Sequence, residues 1–328
     1  MMQSRFYAII LCAAIFAMTM ALFVGSWPLS PGEVLGALAG GEGPAGVVVR
    51  EVRLPRALAA FAAGAALAAS GATLQGLLRN PLADPGVLGV SSAAALGAVV
   101  AIYFNLAGAA TAGASIAAIG GALGAAILLQ ALGAGRLSAT RLILVGVGLS
   151  SLIGAAIALV MNLAPNPFVL SDLVNWLFGS VANRSFADLA IAAPFMLAGL
   201  ALAFSSGRGL SALTLGEEAA VAVGADLRRT RLLAIGAAAL MTGAAVAIAG
   251  AVGFVGIVAP HLARPFVGHD PGRAILPAAL IGGALLCLAD IAVRLAPFDQ
   301  ELKLGVAAAL FGAPAFIAIA AATQRIAR

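Results

Sequence analysis

The sequence predicts an all-α membrane protein of about ten transmembrane helices forming one domain over residues 1–328, and three observations carry that prediction. Hydrophobic residues make up 62% of the chain and charged residues 9%, against roughly a quarter charged in ordinary soluble domains. The apolar residues fall into long windows separated by Gly, Pro and charged turns. The 40 glycines and the sparse aromatics, 6% of the chain, suit helices that pack through small side chains, because lipid supplies no hydrophobic drive between them.

Taken in order, the windows place spans near 6–25, 54–78, 87–104, 113–133, 140–162, 186–204, 228–250, 254–267, 274–295 and 304–322. The first follows a short basic start, as a signal peptide would. Its apolar run is too long for a signal core and no small-residue cleavage pattern appears near Trp27, so a retained first helix is expected. The second opens at an arginine cluster (Arg50, Arg53, Arg56) and closes at Arg79 and the polar turn NPLADPG. The eighth is short and begins in a Gly-rich stretch, so it is expected to be broken or partly re-entrant, its backbone covered by protein or water.

An even number of spans puts both termini on one side. Twelve of the 18 Lys and Arg residues fall on that side, and six (Arg50, Arg53, Arg56, Arg184, Arg294 and Lys303) on the other. The positive-inside rule makes the terminal side cytoplasmic. The segment from Gly64 to Pro81 also aligns without gaps to Gly243–Pro260, matching at Gly64, Ala65, Ala66, Ala68, Gly71, Ala72 and Pro81. The two copies run in opposite directions across the membrane, as in an inverted repeat.

Several chemistries are excluded or weakened. The only lysine is Lys303, in ELKLG, so no Walker-type phosphate loop exists in this chain. The net charge of +5 comes from arginines scattered between apolar segments, a pattern of topology rather than nucleic-acid binding. Cys12 and Cys287 sit in apolar runs and read as small core residues. His261 and His269 lack companions at metal-ligand spacing. Asp290 is the clearest acid inside a span, and Arg294, four residues on, is placed to pair with it. So few intramembrane acids disfavour a proton-coupled secondary transporter.

The loop LTLGEEAAVAVGADLRRTR is the most structured-looking on the cytoplasmic side. Thr214 is a candidate cap, Glu217 and Glu218 occupy a first turn, Ala219, Ala220 and Val223 form an apolar stripe, and Gly224 is a stop. A short helix over about 214–224 is expected, presented to a partner's groove or serving as a plain connection.

These residues resemble the permease subunits of type II binding-protein-dependent ABC importers for haem, ferric siderophores and cobalamin. The resemblance covers nearly the whole chain. It rests on VRLPRALAAFAAGAALAASGATLQGLLRNPLADPGVLGVSSAAALGA from Val52, LGEEAAVAVGAD from Leu215, GFVGIVAPHLARPFVGHDP from Gly253 and LADIAVR from Leu288. It implies a homodimer in a bacterial inner membrane that works with two ATPase subunits and a periplasmic binding protein. ATP and Mg belong to the ATPase, and this chain needs no cofactor of its own. The positions matching the family's docking arginines are Arg53, Arg56 and Arg294, to which Lys303 adds charge. The coupling helix maps to Leu215, Gly216, Glu217, Glu218, Ala219, Ala220, Val223 and Gly224. The pathway is expected along the fifth span, at Gly146, Gly148, Ser150, Ser151, Met161 and Asn162, with helix packing the rival role for each; an inner gate is expected over Leu137–Thr140, including Ser138 and Thr140. The family's E-L-P-x-G block departs here to ELKLG, which changes the entrance to the last span. The block QGLLRNPLADPGVLGVSS looks more like haem and siderophore permeases than cobalamin ones, and haem is the expected cargo.

Overall fold

The computed structural model describes residues 2–106, 112–132, 139–297 and 301–326. Among these the chain is helical without strands. α1 (Met2–Phe23) leads through α2 (Pro31–Leu38), α3 (Pro44–Val47) and a π-helical turn (Val48–Arg53) into α4 (Leu54–Leu78). There follow α5 (Val90–Tyr103), α6 (Ala112–Leu132), α7 (Ala139–Asn162), α8 (Pro167–Leu177), α9 (Phe186–Leu213) and α10 (Glu217–Ala222). α11 (Leu227–Ala249), α12 (Val255–Ala263), a 3₁₀ turn (Arg264–Val267), α13 (Pro271–Leu295) and α14 (Leu304–Ile326) complete the chain. Seven helical segments are long and apolar enough to cross a membrane, and the shorter apolar helices α5, α12 and α14 fill the remaining predicted windows.

Three short helices were not expected from hydropathy, although their end signals are in the sequence. α2 starts with a capping box: the Ser30 hydroxyl accepts from the Glu33 amide, and the Ser30 amide donates to the Glu33 carboxylate at 2.7 Å, with Pro31 at the first helical position. α8 starts likewise, Asn166 Oδ1 accepting from the Val169 amide ahead of Pro167. α3 begins at Pro44 without a side-chain cap. The ninth helix continues to Leu213, beyond the predicted end at 204, so its last turns project past the apolar window.

Small side chains set the packing. α4 and α13 run antiparallel, with Arg56 meeting Asp290, Gly64 meeting Gly282 and Gly76 meeting Pro271. Gly76 also faces Leu210, so the ends of α4 and α9 lie at one level and these two helices share a direction. α11 opposes α9 (Gly199 beside Met241, Gly209 beside Thr230) and α6 (Ser115 donating to the Ala247 carbonyl, Ala122 beside Gly243). α5 opposes α6 through Ala93 beside Gly121 and Gly97 beside Ala117. The directions of these six helices are those that a ten-span alternation would give them. α4 and α11 form the centre, joined by a hydroxyl pair, Ser70 and Thr242, 2.9 Å apart. In each, 78% of the most apolar stretch is buried, against 11% in α7.

The expected break lies inside the bundle but between the seventh and eighth windows, and the eighth is itself helical, α12 continuing directly into the 3₁₀ turn. α11 ends at Ala249, Gly250 turns with φ +70°, and helix resumes only at Val255, after Phe254 at φ 68°. The break does not lie beyond the helix ends, because Gly256 packs on the middle of α4: Gln75 Nε2 donates to its carbonyl at 3.3 Å, and a β-carbon at Gly71 would sit 1.9 Å from that oxygen. Protein covers the freed backbone, as an irregular segment at this depth needs. The end of α8 and the start of α14 close over it, the Gly305 amide donating to the Phe178 carbonyl at 3.1 Å. The internal repeat is thus structurally similar only in its first half. Gly64–Gly71 and Gly243–Ala249 are both helical, but α4 runs on unbroken where α11 stops.

Cys287 is buried as expected, whereas Cys12 is exposed, because α1 lies at the periphery and that side chain points away from the bundle.

Gly71→Ala should lower the stability of the detergent-solubilised protein by about 1–3 kcal/mol through overpacking against Gly256. Gly120→Ala, where a β-carbon meets nothing within 4 Å, should be neutral or slightly stabilising in the same thermal-unfolding measurement.

Candidate functional site

The arginines at the end of the bundle where α4 begins form one charged cluster. α1 ends there with carbonyls that have no partner within the helix. Arg53, 4% exposed, donates to the Leu22 and Phe23 carbonyls at 2.8 and 3.1 Å and to that of Trp27. Arg294 donates to the carbonyls of Ala21 and Val24 at 2.8 and 2.7 Å. Two guanidiniums from other helices thus cap the negative end of α1. Asp290, with a side chain 1% exposed, balances them: it pairs with Arg294 on its own helix and accepts from Arg56 Nη2 at 2.7 Å and Nε at 3.0 Å. Arg56 then reaches outward to Glu301, Nη1 lying 3.2 Å from Oε2 and Nη2 pairing with Oε1.

The structure therefore brings Arg53, Arg56 and Arg294 together and gives each an acceptor inside the chain. The expected Asp290–Arg294 pair is present. What sequence spacing missed is that Arg56 joins it from 234 residues before Asp290, and that Arg56 is itself held by Glu301, 245 residues further along the chain. Lys303, half-buried, lies two residues beyond Glu301. Three guanidiniums against two carboxylates leave one positive charge, and Lys303 adds a second.

At the opposite end, α10 is shorter than the expected 214–224 and starts differently. Gly216 is its N-cap, while the Thr214 hydroxyl donates back to Ser211 in α9 and so does not cap it. Glu217 and Glu218 occupy the first turn, Glu217 bonding Arg231 of α11 at 2.9 Å. The expected apolar stripe is also rearranged. Ala220 is buried against the bundle as an anchor, while Leu215, Ala219, Val221 and Val223 are exposed, and Gly224 ends the helix at φ +87°. A cavity of about 490 Å³ lies between Leu215, Gly216, Glu217, Glu218 and Ala219 on one side and Arg79, Ala139 and Thr140 on the other. It joins α10 to the end of α4 and the start of α7.

The residues expected along the pathway divide between two faces of α7. Gly146 is buried against Val87 and Leu88, and the Ser150 hydroxyl donates to the Gly86 carbonyl at 2.8 Å, so these two fasten α7 to the turn after α4. In that turn the Asp84 carboxylate accepts from the Gly86 amide, while burial pushes its pKa above the usual carboxylate range. Gly148, Ser151 and Asn162 lie on the exposed face with Ala155 and Ala158, at alternating spacings of three and four. The Ser151 hydroxyl donates to the Val147 carbonyl of its own helix, and Met161 is half-buried. Thr140 is exposed beside the cavity, and Ser138 and Leu137 fall outside the described residues.

Because Asp290 alone compensates Arg294 in a buried setting, Asp290→Ala should cost about 3–5 kcal/mol. Thermal unfolding in detergent should show a much larger fall than for Glu301→Gln at the rim.

Residues 12–322 match the FecCD transport family. The chain is 43% identical over 274 residues to the vitamin B12 import system permease BtuC of Vibrio cholerae, covering 82% of this chain and 81% of that protein. It is 37% identical over 279 residues to the hemin transport system permease HmuU of Yersinia pestis, covering 81% and 80%. A solved structure described as an inward-facing conformation of a metal-chelate type ABC transporter superposes with a TM-score of 0.85 at 30% identity, covering 95% of this chain and 97% of that one. With the all-helical bundle and its apolar segments, these matches place the chain in the FecCD transport family, as a permease of a type II ABC importer.

Proposed function

We propose that two copies of this chain form the membrane pathway of an ATP-driven importer in a bacterial inner membrane, with both termini cytoplasmic. The pathway takes an iron chelate, haem in first place, from a periplasmic binding protein and passes it inward by alternating access. The observation that carries the reading is the placement of α10, which exposes Leu215, Val221 and Val223 while its base shares a cavity with Thr140 at the start of α7. A short helix with an apolar outer face and an anchored inner face is suited to seating in a partner's groove. Motion of that partner bears first on α9 and α11, which α10 touches, and on the mouth of α7 across the cavity. The partner is the ATPase, which supplies ATP and Mg, since this chain has no phosphate loop.

α7 suits the pathway wall. It is the least buried of the long apolar helices, and its stripe of Gly148, Ser151, Ala155, Ala158 and Asn162 offers a smooth, weakly polar surface to a flat apolar cargo. Docking falls to the other end, where the surplus positive charge around Arg53, Arg56, Arg294 and Lys303 attracts an acidic partner and steers its approach. Cobalamin is the second reading, favoured by the 43% identity to a B12 permease against 37% to the hemin permease.

Proteoliposomes holding the permease, its ATPase and its binding protein should accumulate haem with ATP, in preference to a ferric siderophore or cobalamin. Accumulation of cobalamin alone would replace the cargo while leaving the architecture in place. Val221→Asp with Val223→Asp should weaken ATPase association at least about tenfold, as expected for charges placed in an apolar contact. Unchanged association in a pull-down from detergent would rule out α10 as the seat.

A further inference from the structure

The geometry points to Glu301 as an internal stand-in for a partner carboxylate, holding the outer edge of Arg56 until an acidic side chain of the docking protein displaces it. This rests on the docking reading above.

Of the three clustered arginines, two have no edge to offer. Arg53 is spent on the Leu22, Phe23 and Trp27 carbonyls, and Arg294, its side chain 3% exposed, on Ala21, Val24 and Asp290. Arg56 differs because its bonds are divided by depth. Its inner contacts go to Asp290, 1% exposed, and its outer ones to Glu301, 38% exposed. The inner pair is fixed by burial. The outer pair is screened by solvent and costs little to exchange. A planar guanidinium that keeps Asp290 can present the same donors to an incoming carboxylate in the same bidentate manner. The cluster retains a net positive charge with Glu301 in place, so an approaching acid is attracted before the exchange occurs.

Glu301 is also placed to report the exchange. It precedes α14 by three residues, and the first turn of α14 is seated on the bundle by buried Leu304 and by the Gly305 amide on the Phe178 carbonyl, beside the break between α11 and α12. Releasing Glu301 removes one tether from that entrance. Docking at Arg56 and the seating of α14 thereby become alternatives for one guanidinium.

A double-mutant cycle tests this with the full permease–ATPase complex in nanodiscs and its cargo-free binding protein as probe. Glu301→Gln should tighten binding about two- to fivefold, the range of an exposed ion pair, and raise ATP turnover at sub-saturating binding protein. Arg56→Gln should weaken binding, and Glu301→Gln added to Arg56→Gln should change nothing further. Glu51→Gln, which removes an exposed carboxylate just before Arg53, should have less than half the effect of Glu301→Gln. Should Arg56→Gln not fold, Arg56→Lys takes its place in the cycle. Unaltered binding in the Arg56 variant would refute the docking reading itself. Weakened binding in that variant, with a Glu301→Gln effect that is absent, opposite, matched by Glu51→Gln or persistent without Arg56, would overturn the stand-in role alone.

Discussion

Capping of the α1 C-terminus by two buried guanidiniums, balanced by one buried carboxylate, is the constraint on which the rest of that end of the bundle depends. Carbonyls at a helix end cannot be left unpaired in a dry environment, and neither can guanidiniums. Arg53 and Arg294 meet most of both needs at once, the buried Nε of Arg294 alone finding no partner among the described residues, and Asp290 offsets their charge. The start of α4, the end of α13 and the end of α1 are thereby held in one register. The fit is tight enough that a β-carbon at Gly25 would lie 2.9 Å from Arg53 Nε. Arg56 enters as a second partner for Asp290 and extends the cluster to the entrance of α14.

Below this lock the bundle is held differently. α4 approaches α11 on one side and α13 on the other through Gly, Ala and Ser, so dispersion over close backbones replaces large interlocking side chains. Such contacts tolerate little displacement. α7, by contrast, is fastened chiefly near Gly146 and Ser150 and leaves most of its length outside the bundle. A closely packed frame and a lightly held helix sit side by side. The cavity beneath α10 borders the end of the frame at Arg79 and the beginning of the free helix at Thr140. α10 itself is anchored on α9 and α11, so the space it leaves toward Thr140 lies between the packed frame and the lightly held helix.

The fold class and most helices were legible because lipid imposes a simple demand: backbone groups must be satisfied within a helix, so apolar length alone marks a span. The bounds of α4 coincide with the expected 54–78, whereas the break signalled by the glycines falls before the eighth window, between α11 and α12, and not within it. The short helices α2 and α8 escaped because they lie outside the apolar windows, although Ser30–Glu33 and Asn166–Pro167 carried their start signals. α10 was recognisable, but which of its alanines faced inward depended on where α9 ended, and α9 ran nine residues past its window.

The sequence by itself determined a membrane-embedded helical bundle, the lack of a phosphate loop, and a cluster of arginines where α4 begins. Only the tertiary structure decided what those arginines touch. Asp290 and Arg294 are four residues apart and readable on one helix face, but Arg56 meets Asp290 and Glu301 only after α4, α13 and the approach to α14 have packed together. Hydropathy reports the transfer of each segment into lipid, a property of local composition. Charge pairing depends on distances between segments far apart in the chain, and those distances exist only once the helices are packed.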